Sequence, residues 1–132
     1  MFNSKAVRTV QVLMGIIFFV FGLNGLLMFT MNKGFIPMPP PPAHMEIIMN
    51  GFMATKYLMP LVKLLEVVAG LLLLANQFAS LALLLLAPIM VNILGLHLAV
   101  DPSGAPMAII LTILYLYLFA SKWNDFKIIF KK

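Results

Sequence analysis

The sequence predicts an all-α fold, a four-transmembrane-helix antiparallel bundle, and three observations carry that prediction. Of the 132 residues, 63% are hydrophobic and only 10% charged, whereas a soluble domain carries about 25% charged residues. The mean hydropathy is +1.06. Four apolar runs stand along the chain, each close to the roughly 20 residues that a helix needs to cross a bilayer. None shows the two-residue alternation of a barrel strand, and backbone groups in lipid must be satisfied within the segment.

The first span is expected over 7–31. It follows Lys5 and Arg8 in the manner of a signal peptide, but it runs on to Met31 without an A-x-A-type cleavage site, so it reads as a retained helix. The second span is expected over 57–75 and the third over 78–100. Only Asn76 and Gln77 separate them, which forces a hairpin of neighbouring helices. The fourth is expected over 105–121, and together the four spans and their connections make one membrane domain over 1–132.

Two further segments lie outside the spans. Between the first and second, the run Pro37-Met38-Pro39-Pro40-Pro41-Pro42 predicts extended polyproline II, a stiff spacer without backbone donors. After it Met45, Ile48, Met49, Phe52 and Met53 recur at helical spacing, predicting a short amphipathic helix on the outer face or tucked into the mouth of the bundle. The tail over 122–132 sets Trp123, Phe126 and Phe130 on one face among several lysines, a pattern for lying on anionic headgroups.

Charge gives the expected orientation. Lys5, Arg8, Lys122, Lys127, Lys131 and Lys132 flank the first and last spans, against Lys33 and Lys56 in the longest loop. By the positive-inside rule both termini are cytoplasmic, in what reads as a bacterial inner membrane. A net charge of +5 does not argue for nucleic acid, because the basic residues are divided between the two ends rather than gathered on one folded face. The chain has no cysteine, which excludes thiolate catalysis, disulfide exchange and iron–sulfur ligation by its own residues.

Against this background Lys63 and Glu66 stand out, two charges three residues apart inside the second span. Charges at that depth are costly and normally face a protein interior, a partner charge or a water-filled cavity. Counting about 1.5 Å per residue puts Lys63 roughly 9 Å and Glu66 roughly 14 Å from the outer end, Asn24 of the first span at roughly 10 Å and Asn92 of the third at roughly 9 Å. His97 falls near the surface. Lys63, Glu66 and Gly70 share one helical stripe, as do Pro88, Asn92 and Gly95, while Gly15, Gly22 and Gly25 lie beside Asn24; small residues mark helix contact faces in membranes. The expectation is a polar pocket open to the outer side, formed by Lys63, Glu66, Asn24, Asn92 and His97. The plainer reading is a self-neutralising ion pair that fixes register, with the asparagines bonding between helices and His97 merely interfacial.

Other chemistry is less well supported. Eleven methionines, several near the outer side with His44 and His97, suit Cu(I) in principle. Met45, Met49 and Met53 are spaced by four without a tight series, and methionine is an ordinary filler of apolar surfaces, so no metal is assigned. Pro88 removes the usual donor to the carbonyl of Leu84, predicting a kink or a local water site. Tyr115 and Tyr117 point to different faces, and at least one is expected to anchor at the interface.

These residues also carry a resemblance. Phe21-Gly22-Leu23-Asn24-Gly25, the run from Tyr57 and Leu58 through Pro60-Leu61-Val62-Lys63 and Glu66 to Gly70-Leu71-Leu72-Leu73-Leu74, then Ala87-Pro88 with Val91-Asn92, His97 and Asp101-Pro102-Ser103-Gly104 with Pro106 resemble the DoxX family of small four-helix membrane proteins. The similarity extends over nearly the whole chain. It implies a link to quinone-coupled thiosulfate oxidation and to membrane assemblies that handle oxidative and thiol stress, although most such proteins have no assigned activity. Lack of cysteine departs from any version in which the membrane subunit does thiol chemistry. The expectation is therefore a binding or accessory subunit, not an enzyme on its own, whose pocket takes a quinone or bound lipid. Lys63, Asn92 or His97 would hydrogen-bond a carbonyl and Glu66 would exchange a proton. The alternatives are a subunit of a quinone-linked oxidoreductase and a purely structural helical subunit of a larger complex; the partners expected are the bilayer, other membrane proteins or further copies of the chain.

Overall fold

The computed structural model describes residues 2–132 and is helical throughout its regular structure. The elements in order are α1 (Ser4–Met31), α2 (Ala43–Ala54), α3 (Leu58–Ala75), α4 (Ala79–Ala99), a 3₁₀ turn (Pro102–Gly104), α5 (Ala105–Ser121) and α6 (Trp123–Phe126). Among the described residues four helices are long and apolar enough to cross a membrane: α1, α3, α4, and α5 with the turn that leads into it. That pattern fits an integral membrane protein. α1 begins a turn ahead of the expected span because Asn3 caps it, its side chain accepting from the amides of Lys5 and Ala6; such a cap satisfies amides that a helix start otherwise leaves without partners.

α1 and α3 make the most extensive helix contact in the molecule, and glycine is the reason. Gly15 faces Leu74 and the Gly70 carbonyl, Gly22 faces Glu66 and Val67, and Gly25 faces Lys63. A Cβ on Gly70 would stand 2.5 Å from the Phe19 nitrogen and 2.9 Å from the Gly15 oxygen, so only a glycine lets the two backbones approach so closely. The facing residues rise along α1 as they fall along α3, which brings the start of α1 beside the end of α3. There the Arg8 guanidinium donates to the carbonyls of Leu73 (3.0 Å) and Leu74 (2.8 Å). Gln11, almost wholly buried, donates to the Leu73 carbonyl and the Asn76 side chain, both at 2.9 Å. A cation on the last carbonyls of a helix suits the negative end of its dipole.

α3 ends on Asn76 in the left-handed conformation, φ 55°, a backbone that asparagine tolerates better than most residues. Phe78 follows at φ 51°, and the chain reverses into α4 through Asn76, Gln77 and Phe78, one residue more than the sequence predicts, because Phe78 in the left-handed conformation stands outside the helix as its cap. α4 is continuous through Pro88. Near that proline, the Tyr115 hydroxyl of α5 donates to the Leu83 carbonyl at 2.7 Å, and Tyr115 is buried. Tyr117 lies on another face, its ring edge-on to Phe2 at 5.4 Å.

The core gathers Met14 and Phe18 of α1, Ala69 and Leu73 of α3, Ala82, Leu83 and Leu86 of α4, Leu118 of α5 and Phe126 of α6. Outward leucines, isoleucines and valines on the long helices remain exposed, among them Leu71, Val91, Ile113 and Leu116. In water that surface would be a liability; against lipid it is the expected exterior. A bilayer environment follows from the apolar helices themselves.

Candidate functional site

The site begins with one turn of α3. Lys63 and Glu66 are three apart on a helix, a spacing that places their side chains on one face, and the Lys63 ammonium lies 3.0 and 3.2 Å from the two carboxylate oxygens of Glu66. Glu66 is 4% exposed, whereas the Lys63 side chain keeps 21%. α1 creates the room for this pair. A Cβ on Gly25 would fall 2.6 Å from the Lys63 side chain and one on Gly22 2.9 Å from that of Glu66, so the two glycines form a trough along which the lysine's methylenes lie.

On the other side of the pair is a cavity of about 350 Å³. α3 supplies Leu58, Met59, Val62, Lys63, Leu65 and Glu66; α4 supplies Pro88, Ile89, Asn92, Ile93 and Leu96; α2 closes one side with Met49 and Phe52. The amphipathic segment of the long loop is thus a wall of the cavity. Its Met45 is buried, and the face bearing Met49 and Phe52 is the one that the four-residue spacing anticipates. All lining residues but Lys63, Glu66 and Asn92 are apolar.

Asn92 donates its side-chain amide to the carbonyl of Pro88, one turn back, at 2.9 Å. This consumes one amide hydrogen and leaves the second, with the side-chain oxygen, free of partners among the described residues. The Lys63 ammonium likewise has three protons and one carboxylate to satisfy. The cavity therefore presents hydrogen-bond donors and a carboxylate at one place in an otherwise hydrocarbon wall.

Two of the five expected pocket residues stand elsewhere. Asn24 is buried on α1, but its side-chain oxygen accepts from the backbone amides of Phe35 (2.7 Å) and Ile36 (2.8 Å), so it holds the beginning of the long loop. His97 lies beyond the cavity at the end of α4. Its Nδ1 is 3.3 Å from the Asp101 carbonyl and 3.6 Å from the Asp101 carboxylate, and Ser103 also donates to that carboxylate. A side chain at Gly104 would run into the His97 ring. The Asp101-Pro102-Ser103-Gly104 motif thus makes the turn into α5, with His97 as part of its packing.

Asn24 lies level with Lys63, since its neighbour Gly25 faces that side chain, but a residue's depth along a helix does not fix which way its side chain turns. The periodic Met49 and Phe52 were visible as a helix face, but not as part of this cavity. Arg8 and Gln11, whose contacts fix α1 on α3, gave no signal beyond charge and polarity. Among the described residues no cluster of three metal-ligating side chains of the His, Cys, Asp and Glu types occurs. No buried side-chain nitrogen or oxygen among them lacks a hydrogen-bond partner. Comparison with protein-family models, curated proteins and solved structures gives no match for this chain.

Proposed function

We propose that the chain is a DoxX-like integral membrane protein, a four-helix antiparallel bundle with both termini in the cytoplasm, and that it acts as a binding or accessory subunit whose outward-facing pocket takes a quinone or another amphipathic small molecule. One observation carries the proposal: an apolar cavity of about 350 Å³ has the Lys63–Glu66 pair and Asn92 in its wall. This volume falls in the range of about 300–1,000 Å³ typical of small-molecule sites, which are mostly apolar with a few placed polar groups.

The chemistry follows from the groups present. An ammonium proton of Lys63 not engaged by Glu66, and the second amide hydrogen of Asn92, donate to a carbonyl or similar acceptor on the head of the ligand. Glu66 is the lining carboxylate that would exchange a proton with the head. Leu58, Val62, Ile89, Ile93 and Leu96 with Met49 and Phe52 of α2 provide the surface against which a ring or an alkyl tail packs. Such a molecule reaches the site through the bilayer in which it dissolves.

Purification in mild detergent followed by native mass spectrometry, with a short-chain quinone then added to protein freed of lipid, tests the reading. The expected results are a co-extracted amphipathic molecule, saturable quinone binding, and loss of both in Asn92→Leu and in the double variant Lys63→Met/Glu66→Leu. Protein that carries nothing and binds no quinone would overturn the assignment.

A second reading is favoured by the closure of Lys63 and Glu66 on each other, which leaves neither charge alone. In that case the chain is a structural helical subunit of a larger complex. It would then co-purify with stoichiometric protein partners, and the double variant would leave that association intact.

A further inference from the structure

At the end of α5 the chain does not simply leave the four long helices. Phe126 is 1% exposed and stacks on Phe119 of α5, ring centroids 4.2 Å apart and planes within 7°. Asp125 accepts from the Ser80 hydroxyl at the start of α4. These two contacts hold the C-terminal segment against the ends of α4 and α5. With that segment so held, Trp123 and Phe130 stack on each other at 6.0 Å and remain largely exposed, as do Ile128 and Ile129. Lys127, Lys131 and Lys132 are exposed beside them, and neither they nor Lys122 form an ion pair among the described residues. Lys5 at the start of α1 belongs to the same end, because Phe2 packs on Tyr117 of α5.

We propose that this segment, Trp123 to Lys132, is a binding site for anionic phospholipid headgroups. A patch of exposed indole, phenyl and isoleucine side chains is unfavourable in water, and lysines among them would be unfavourable in hydrocarbon. Only the boundary layer of a bilayer suits both: rings and branched chains enter at the level of the acyl carbonyls while the ammonium groups reach the phosphates. α5 ends immediately before the segment, so a bilayer crossed by α5 has its headgroups at this height. The lysines make the site selective for negative charge, each contributing about a fivefold preference near an anionic surface. Asp125, the one carboxylate side chain of the segment, is turned onto Ser80. The inference rests on the four long helices crossing a membrane and is independent of what the α2–α3–α4 cavity holds.

Trp123 is the only tryptophan in the chain, so its fluorescence reports on this segment alone. The full chain would be placed in nanodiscs of phosphatidylcholine, with and without phosphatidylglycerol, including lipids brominated near the headgroup end of the acyl chain. The expected result is a blue-shifted emission quenched by the bromines, stronger with phosphatidylglycerol and relieved by salt. The triple variant Lys127→Gln/Lys131→Gln/Lys132→Gln should keep its helix content and lose the dependence on phosphatidylglycerol. In native mass spectrometry from mixed nanodiscs, the same variant should lose about a hundredfold in its preference for the anionic lipid, the product of three such contributions. Equal quenching in both lipids would show an apolar anchor without headgroup recognition and overturn the proposal. Unquenched, water-exposed emission in both would also overturn it and point instead to a soluble acidic partner.

Discussion

At the scale of single residues, Lys63 and Glu66 cannot be judged by their charges alone. Breaking a buried ion pair by removing one member costs about 3–5 kcal/mol, because the other charge is stranded, whereas replacing both with apolar groups of similar volume is often neutral. Lys63→Met should therefore lower the stability of the protein in detergent by about that amount, since it leaves Glu66 buried without its ammonium. The double variant Lys63→Met/Glu66→Leu should recover most of the loss, as thermal or denaturant unfolding would register. Persistence of the full loss in the double variant would mean that the pair is held by contacts other than each other. Because the double variant should keep most of its stability, loss of ligand in it reports on the site rather than on unfolding. Asn24 shows how the same residue type serves another end: buried like Glu66, it is satisfied by two loop amides and contributes shape rather than chemistry.

At the scale of elements, the contact of α1 with α3 positions everything else. Its glycines allow the trough in which the Lys63 stem lies, and Arg8 and Gln11 fix its end. Gly70→Val should be among the most damaging single changes outside the cavity. Even its Cβ would meet backbone atoms of Phe19, which cannot rotate away, and overpacking of a tight contact typically costs about 1–3 kcal/mol. A lower thermal midpoint in detergent and weakened ligand retention are expected together, since parting α1 from α3 also disturbs the pair. An unchanged midpoint would show that the two helices yield more easily than their backbone contact suggests. α2 behaves differently: it packs chiefly on α3 and lends two side chains to the cavity.

For the whole molecule, the proposed orientation makes a prediction that the chain's own composition renders simple to check. Because there is no cysteine, single cysteines can be placed without a background. Cysteine at Ser4 or Lys132 should react with a membrane-impermeant maleimide only after the membrane is opened, while cysteine at Pro39 in the proline-rich loop should react in intact cells. The reverse pattern would invert the orientation and place the cavity mouth on the cytoplasmic side. The basic residues make the expected pattern follow from the positive-inside rule, and the helix contacts are compatible with it: the start of α1, the end of α3 and the end of α5 lie at one end of the molecule.

Much of this architecture was already legible in the residues. Four long apolar runs became four long helices because, in lipid, a segment must satisfy its own backbone, which makes hydropathy a strong constraint on local structure. The Lys63–Glu66 pairing followed from a three-residue spacing, and the α2 face from a methionine and phenylalanine repeat. These elements and their faces are readable from the residues alone, since both depend on near neighbours along a helix. Packing between the helices set the rest: α2 walls the cavity, Asn92 shares it while Asn24 and His97 turn elsewhere, Arg8 caps α3, and Phe126 clamps the tail. Those outcomes depend on side-chain direction and on contacts between residues far apart in the chain, which periodicity and depth do not encode.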